Sequence, residues 1–133
     1  MLKKNATTVK VVFMNYPLKS HKFASKAALA ALAGDRQGKF WEFHDALFKD
    51  YRQINDEKIQ QIAVQLGLDQ TQYEKDRRDP AILKKIQIDV QQARRLGITG
   101  VPAVFVNGKR LKNWSPDGFQ KAIDSELTKG KNN

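Results

Sequence analysis

From about His21 to Leu96 the chain carries helical spacing and helix punctuation with little interruption, and only short segments on either side read as strand. The pattern is one strand, several helices, a β-hairpin and a final helix. That is α/β, with few strands for its length. The alanine-rich stretch His21–Ala33 is a helix that Gly34 would close. Phe40, Phe43, His44, Leu47 and Phe48 fall on one stripe at helical spacing. Asn55 can cap a helix carrying Ile59, Ile62, Ala63 and Leu66, which Gly67 ends. Asp69 with Gln72 resembles a capping box. Asp79-Pro80 opens a helix with Ile82, Ile86, Val90, Ala93 and Leu96 inward, stopped at Gly97.

Outside this stretch the period changes. Val9–Met14 is β-branched and almost continuously apolar, the pattern of a buried strand, and Pro17 breaks it. Ala103–Val106 reads as a second strand. Asn107-Gly108 then gives a two-residue hairpin turn, and the return strand begins at Lys109-Arg110-Leu111. Ser115-Pro116 repeats the cap-plus-proline device, with Phe119, Ile123 and Leu127 on the inner face of the last helix.

At 133 residues the expectation is one domain with a single core. No apolar run is long enough for a transmembrane helix, so membrane insertion is not expected. Met1–Thr8 has basic residues but no apolar stretch behind them and does not read as a signal peptide; localisation stays open. The net charge of +10 would draw polyanions non-specifically. Its basic residues are scattered and interleaved with acidic ones, which reads as a solvated surface rather than a specific nucleic-acid site.

The chain has no cysteine, so it can form no disulfide, thiolate nucleophile or Cys-ligated metal site. His21, His44, Glu42 and Asp45 complete no recognisable metal spacing, and no cofactor is expected. Ser20 beside His21 does not make a hydrolase, because sequence neighbours are not oriented catalytic partners. Trp41, Phe43 and Phe48 read as core, and His44 as a hydrogen-bonded, partly buried histidine.

Two stretches carry a family resemblance. Gly38–Phe48, with the order Lys39-Phe40-Trp41-Glu42-Phe43-His44-Asp45-Ala46-Leu47, resembles the helical-insertion motif of DsbA-like proteins. Thr99-Gly100-Val101-Pro102, with the following Ala103–Gly108, resembles the cis-proline loop and hairpin of the thioredoxin superfamily. Val9–Leu18, His21–Ala33 and Ser115–Leu127 are similar too, in the right order. The resemblance implies an α/β thioredoxin-like fold over 1–133, with a helical insertion at about 21–96. It also implies a family of thiol–disulfide oxidoreductases that usually work outside the cytoplasm, where disulfides persist.

Family members open with a strand, a Cys-x-x-Cys motif and a helix, and none of these is present here. Met1–Asn5 looks like the last turn of that helix. The expectation is an N-terminally truncated fold: a fragment or a start codon placed too late, in preference to a natural truncation. No catalytic residue can be assigned. Thr99, Gly100, Val101 and Pro102 are the candidate substrate-binding residues. The resemblance implies a cis Val101–Pro102 bond, with the Val101 backbone pairing to an extended peptide. The other reading is that Pro102 only shapes the entry to the strand.

In the family the absent strand lies between those expected at Val9–Met14 and Ala103–Val106. Their exposed edges would pair directly or recruit a second copy, with a homodimer favoured. Two functions of different class remain beside the oxidoreductase-derived one: a non-catalytic peptide- or protein-interaction module, and a basic nucleic-acid binder.

Overall fold

The computed structural model describes Lys3 to Asn132, and these residues fall into two compact units, one spanning Met14–Gly97 and the other lying within Met1–Phe13 and Ile98–Asn133. The first encloses the stretch expected as a helical insertion. It holds α1 (Ala24–Asp35), α2 (Phe40–Lys49), a 3-10 turn (Tyr51–Gln53), α3 (Asp56–Gln65), α4 (Gln70–Asp76) and α5 (Pro80–Arg95).

Sequence punctuation explains where most of these helices start. Asn55 accepts from the N–H of Lys58 at 2.8 Å, Asp69 from that of Gln72 at 2.8 Å, and Asp79 from that of Ala81 at 2.8 Å. Each satisfies a donor that the first helical turn leaves without an intrahelical partner. The capping box at α4 is only half formed, because the Gln72 side chain donates to Asp76 instead of reaching back. At the other ends, Gly67 and Gly97 adopt positive φ after α3 and α5.

Helix α1 packs against α2, α3, α4 and α5, and its Ala30, Ala31, Leu32 and Ala33 are buried with Phe43, Ile62 and Tyr73. Small side chains let the neighbouring helices come close. Gly34 does not stop this helix as the sequence suggested. It is buried inside α1, where a β-carbon would stand 3.0 Å from the ring of Phe43, and close packing accounts for the glycine.

Several other expectations about the core need correction. Phe43 is wholly buried, but Trp41 is 45% exposed and Phe48 63% exposed, so only part of the aromatic stripe is core. On α5, Ile82, Ile86 and Ala93 face inward. Leu96 is 54% exposed, because the helix has ended one residue earlier and the chain is turning at Gly97. Asp89, absent from the expected inner face, is buried there.

The second unit contains β1 (Phe105–Val106), β2 (Lys109–Arg110) and α6 (Pro116–Lys131), with a 3-10 turn at Lys3–Asn5. The hairpin is antiparallel, with Phe105 opposite Arg110 and Val106 opposite Lys109. Asn107 at φ 46° and Gly108 at φ 80° make the left-handed pair that a tight hairpin turn requires. Leu111 N–H adds a bond to the Val104 carbonyl at 2.8 Å. Ser115 caps α6 through the Gly118 N–H, and Ile123 is the buried anchor of that helix, with Phe119 half-buried and Leu127 exposed.

The strand expected at Val9–Met14 does not form, and neither does direct pairing with Ala103–Val106. Among the described residues the sheet consists of β1 and β2 alone. A β-branched run becomes a strand only as part of a ladder, and this one lies outside the sheet that the described residues form. Val12 is accordingly 69% exposed.

Candidate functional site

The candidate loop runs from Ile98 to Ala103, between Gly97 and the strand β1. Thr99, Val101 and Pro102 are exposed and Gly100 is half-buried. The Val101–Pro102 peptide is cis. Thr99, Gly100 and Val101 make no hydrogen bond to any described residue, so their amide and carbonyl groups are open to a partner. Pro102 has no N–H to offer. The structure thus brings the four expected residues together as one short exposed strip of backbone. It contains a threonine hydroxyl and an apolar valine side chain, but no acid, base or nucleophile strong enough to break a bond.

The elements after the loop hold it in place. The hairpin is fastened to α6 by Glu126, which accepts from Lys109 Nζ at 2.8 Å, from Lys129 Nζ at 3.2 Å and from Asn107 Nδ2 at 3.4 Å. These donors, Lys109 first, pull the Glu126 carboxyl from its usual 4.5 down to about 2. The same bond to Glu126 raises the pKa of Lys109. Trp114 Nε1 donates to the Leu111 carbonyl at 3.1 Å, bracing the return strand. Asn5 and Gln120 exchange side-chain amide bonds at 2.9 and 3.2 Å, which ties the 3-10 turn to α6.

Sequence reading missed Glu126 and the Asn5–Gln120 pair. The spacing of Glu126 and Lys129 on a helix was a visible signal for the first. Nothing local could have shown the second, whose partners lie 115 positions apart.

The other candidates resolve simply. His44 is half-buried, with Nδ1 3.1 Å from Asp45 Oδ1 and its ring beside Phe40, Trp41 and Phe48, the last at 4.6 Å between centroids. No hydrogen bond joins Ser20 to His21, whose amide donates to the Leu18 carbonyl. Among the described residues no group of three histidine, aspartate or glutamate side chains could hold a metal ion. No helix there is long and apolar enough to cross a membrane.

The chain is 30% identical to a probable disulfide bond formation protein D of Bacillus anthracis, over an alignment covering 91% of this chain and 59% of that protein. It also resembles, at 34% identity, a stretch amounting to 16% of the Na(+)/H(+) antiporter NhaA 3 of Salinispora tropica. The crystal structure of a thioredoxin-like oxidoreductase from Silicibacter pomeroyi superposes with a TM-score of 0.75 at 28% identity, covering 88% of this chain and 68% of that one. The chain therefore spans about three-fifths of the length of the disulfide bond formation protein it matches. Residues 2–124 match the DSBA-like thioredoxin domain, and the chain belongs to that family, with an α/β thioredoxin-like fold.

Proposed function

We propose that this chain is the C-terminal portion of a DsbA-like thiol–disulfide oxidoreductase and supplies its peptide-binding scaffold, with no redox activity of its own. One observation carries the reading: a cysteine-free chain exposes the unpaired backbone of Thr99, Gly100 and Val101 just before Pro102. An extended peptide lying along that strip would accept from the Val101 N–H and donate to its carbonyl, as a strand adds to an edge. Affinity would come from main-chain bonds and would tolerate many sequences, which suits a protein acting on varied unfolded clients.

The exchange step needs a thiolate that attacks a disulfide sulfur through a mixed disulfide. No side chain of this sequence can supply one.

Two measurements test the proposal. Insulin reduction by dithiothreitol should run no faster with this chain than without it, and measurable turnover would overturn the inactivity. Titration with an extended, cysteine-free peptide should shift the amide resonances of Thr99, Gly100 and Val101. Unmoved resonances would remove the peptide site. Genomic sequence upstream of Met1 then separates the readings, because an in-frame Cys-x-x-Cys identifies the oxidoreductase parent.

A second reading, a non-catalytic interaction module, draws on the helical unit. Trp41, Phe48 and Tyr51 are large aromatic residues with exposed surface there, the residue type that dominates protein contacts. A pull-down that survives Thr99–Val101 substitution but fails with Trp41→Ala would favour it.

A further inference from the structure

Helix α5 turns one side into the core of the helical unit and leaves the other open. Ile82, Ile86, Asp89 and Ala93 are buried. Lys84, Ile88, Gln91 and Arg95 are exposed, and their spacing of four, three and four residues lines them up on one outer stripe. Lys85 and Arg94 flank that stripe and are exposed too. Asp89 is the one acid in the helix, and both donors of Asn15 engage it. The chain order sets this acid among the cations, but folding takes it off the outer surface.

None of the four cations forms an ion pair among the described residues, whereas Lys26, Lys58 and Arg77 of the same unit each hold a carboxylate. Arg94 and Arg95 lie in the last turn, where the helix dipole favours positive charge. Lys84 and Lys85 lie in the second turn, where it does not. Electrostatics within the chain therefore account for one end of the stripe and leave the other unexplained. Lys84 and Arg95 stand about 16 Å apart along the axis. Between them the outer face has no cation, only Gln87, Gln91 and the 51% exposed Ile88.

We infer that the outer face of α5 docks an acidic amphipathic helix of a partner protein, with carboxylates toward both ends and an apolar side chain midway. Such a helix sets charge against both cation pairs and covers Ile88 between them. A phosphate backbone carries charge without a break and would leave the uncharged middle unmatched. A lipid surface would need the exposed apolar residues on one side. Leu83 and Ile88 diverge by about 140° on a helix of ~3.6 residues per turn, so they cannot sink together. The site lies within the helical unit and is independent of the peptide-binding proposal for Thr99–Pro102.

The test uses the full chain and a helical peptide of about 16 residues, with paired glutamates about ten residues apart and a leucine midway. In NMR titrations at low salt it should shift the amides of Lys84, Ile88, Gln91 and Arg95. A peptide of the same composition, its glutamates gathered at the centre, should bind about tenfold more weakly. Lys84→Gln with Lys85→Gln should cost about tenfold in affinity for the first peptide and leave the melting temperature unchanged, because both side chains are exposed. Shifts confined to Thr99–Val101 or to other helices would overturn the inference, as would equal binding of the two peptides or full binding by the double variant. Tighter binding of duplex DNA or phosphatidylserine vesicles at the same amides would also overturn it, by showing a general polyanion surface.

Discussion

The backbone N–H and the side-chain amide of Asn15 both donate to one carboxylate oxygen of Asp89, at 2.9 and 3.2 Å, and both residues are buried. This pair fastens the segment before α1 to the middle of α5. Replacing Asp89 by Ala leaves two donors of Asn15 buried without acceptors. The expected loss is roughly 2–4 kcal/mol, read from the urea midpoint at unchanged slope. Asp89→Asn keeps an oxygen that can accept and should lose distinctly less.

Glu126 makes the hairpin sensitive to acid. Its folded pKa is about 2, below the ordinary 4.5, so its contribution is fully present above pH 4.5 and is lost as pH falls toward 2. Hydrogen exchange at the Lys109 and Leu111 amides, after correction for intrinsic pH dependence, should lose protection across that window. Glu126→Gln should remove the acid-dependent part and leave the hairpin weakly held at every pH.

At Gly118 two rules give opposite signs. Helix propensity favours Ala over Gly by about 1 kcal/mol within a helix. A β-carbon at Gly118, however, would stand 2.5 Å from the Asn113 carbonyl oxygen and 2.6 Å from its side-chain carbon. Backbone cannot give way cheaply, so the clash wins. Gly118→Ala should lower the melting temperature, and any increase would refute the steric account.

The exposed run at Val9–Met14 leads to an expectation about assembly. Val11 and Val12 are exposed, apolar and β-branched, outside the sheet of the described residues, and such a surface is a template for another strand. Sedimentation at micromolar concentration should show a dimer, and Val12→Lys should return it to monomer. A wild-type chain that stays monomeric would dismiss strand-mediated pairing.

Helix boundaries were legible because their causes are local. Asn55, Asp69, Asp79 and Ser115 cap their own helices within two or three residues. The hairpin was legible for the same reason, since Asn107-Gly108 alone sets its turn. Three of the failures depended on partners outside the segment itself. Val9–Met14 has strand composition, but composition cannot supply a neighbouring ladder. Asp89 is buried through a residue 74 positions away, and Gly34 serves the packing of Phe43 rather than a helix end. The loop at Thr99–Pro102 was located through its motif. The open state of its backbone could be known only once every nearby donor and acceptor had been placed.

Helix α1 meets its four neighbours through methyl groups and a glycine. The helical unit is consequently arranged like spokes on a narrow axle. No spoke can come away without stripping cover from the axle, and the axle cannot thicken without pushing every spoke outward. Opening of this unit should therefore be collective, with amides in α1 among the last to exchange.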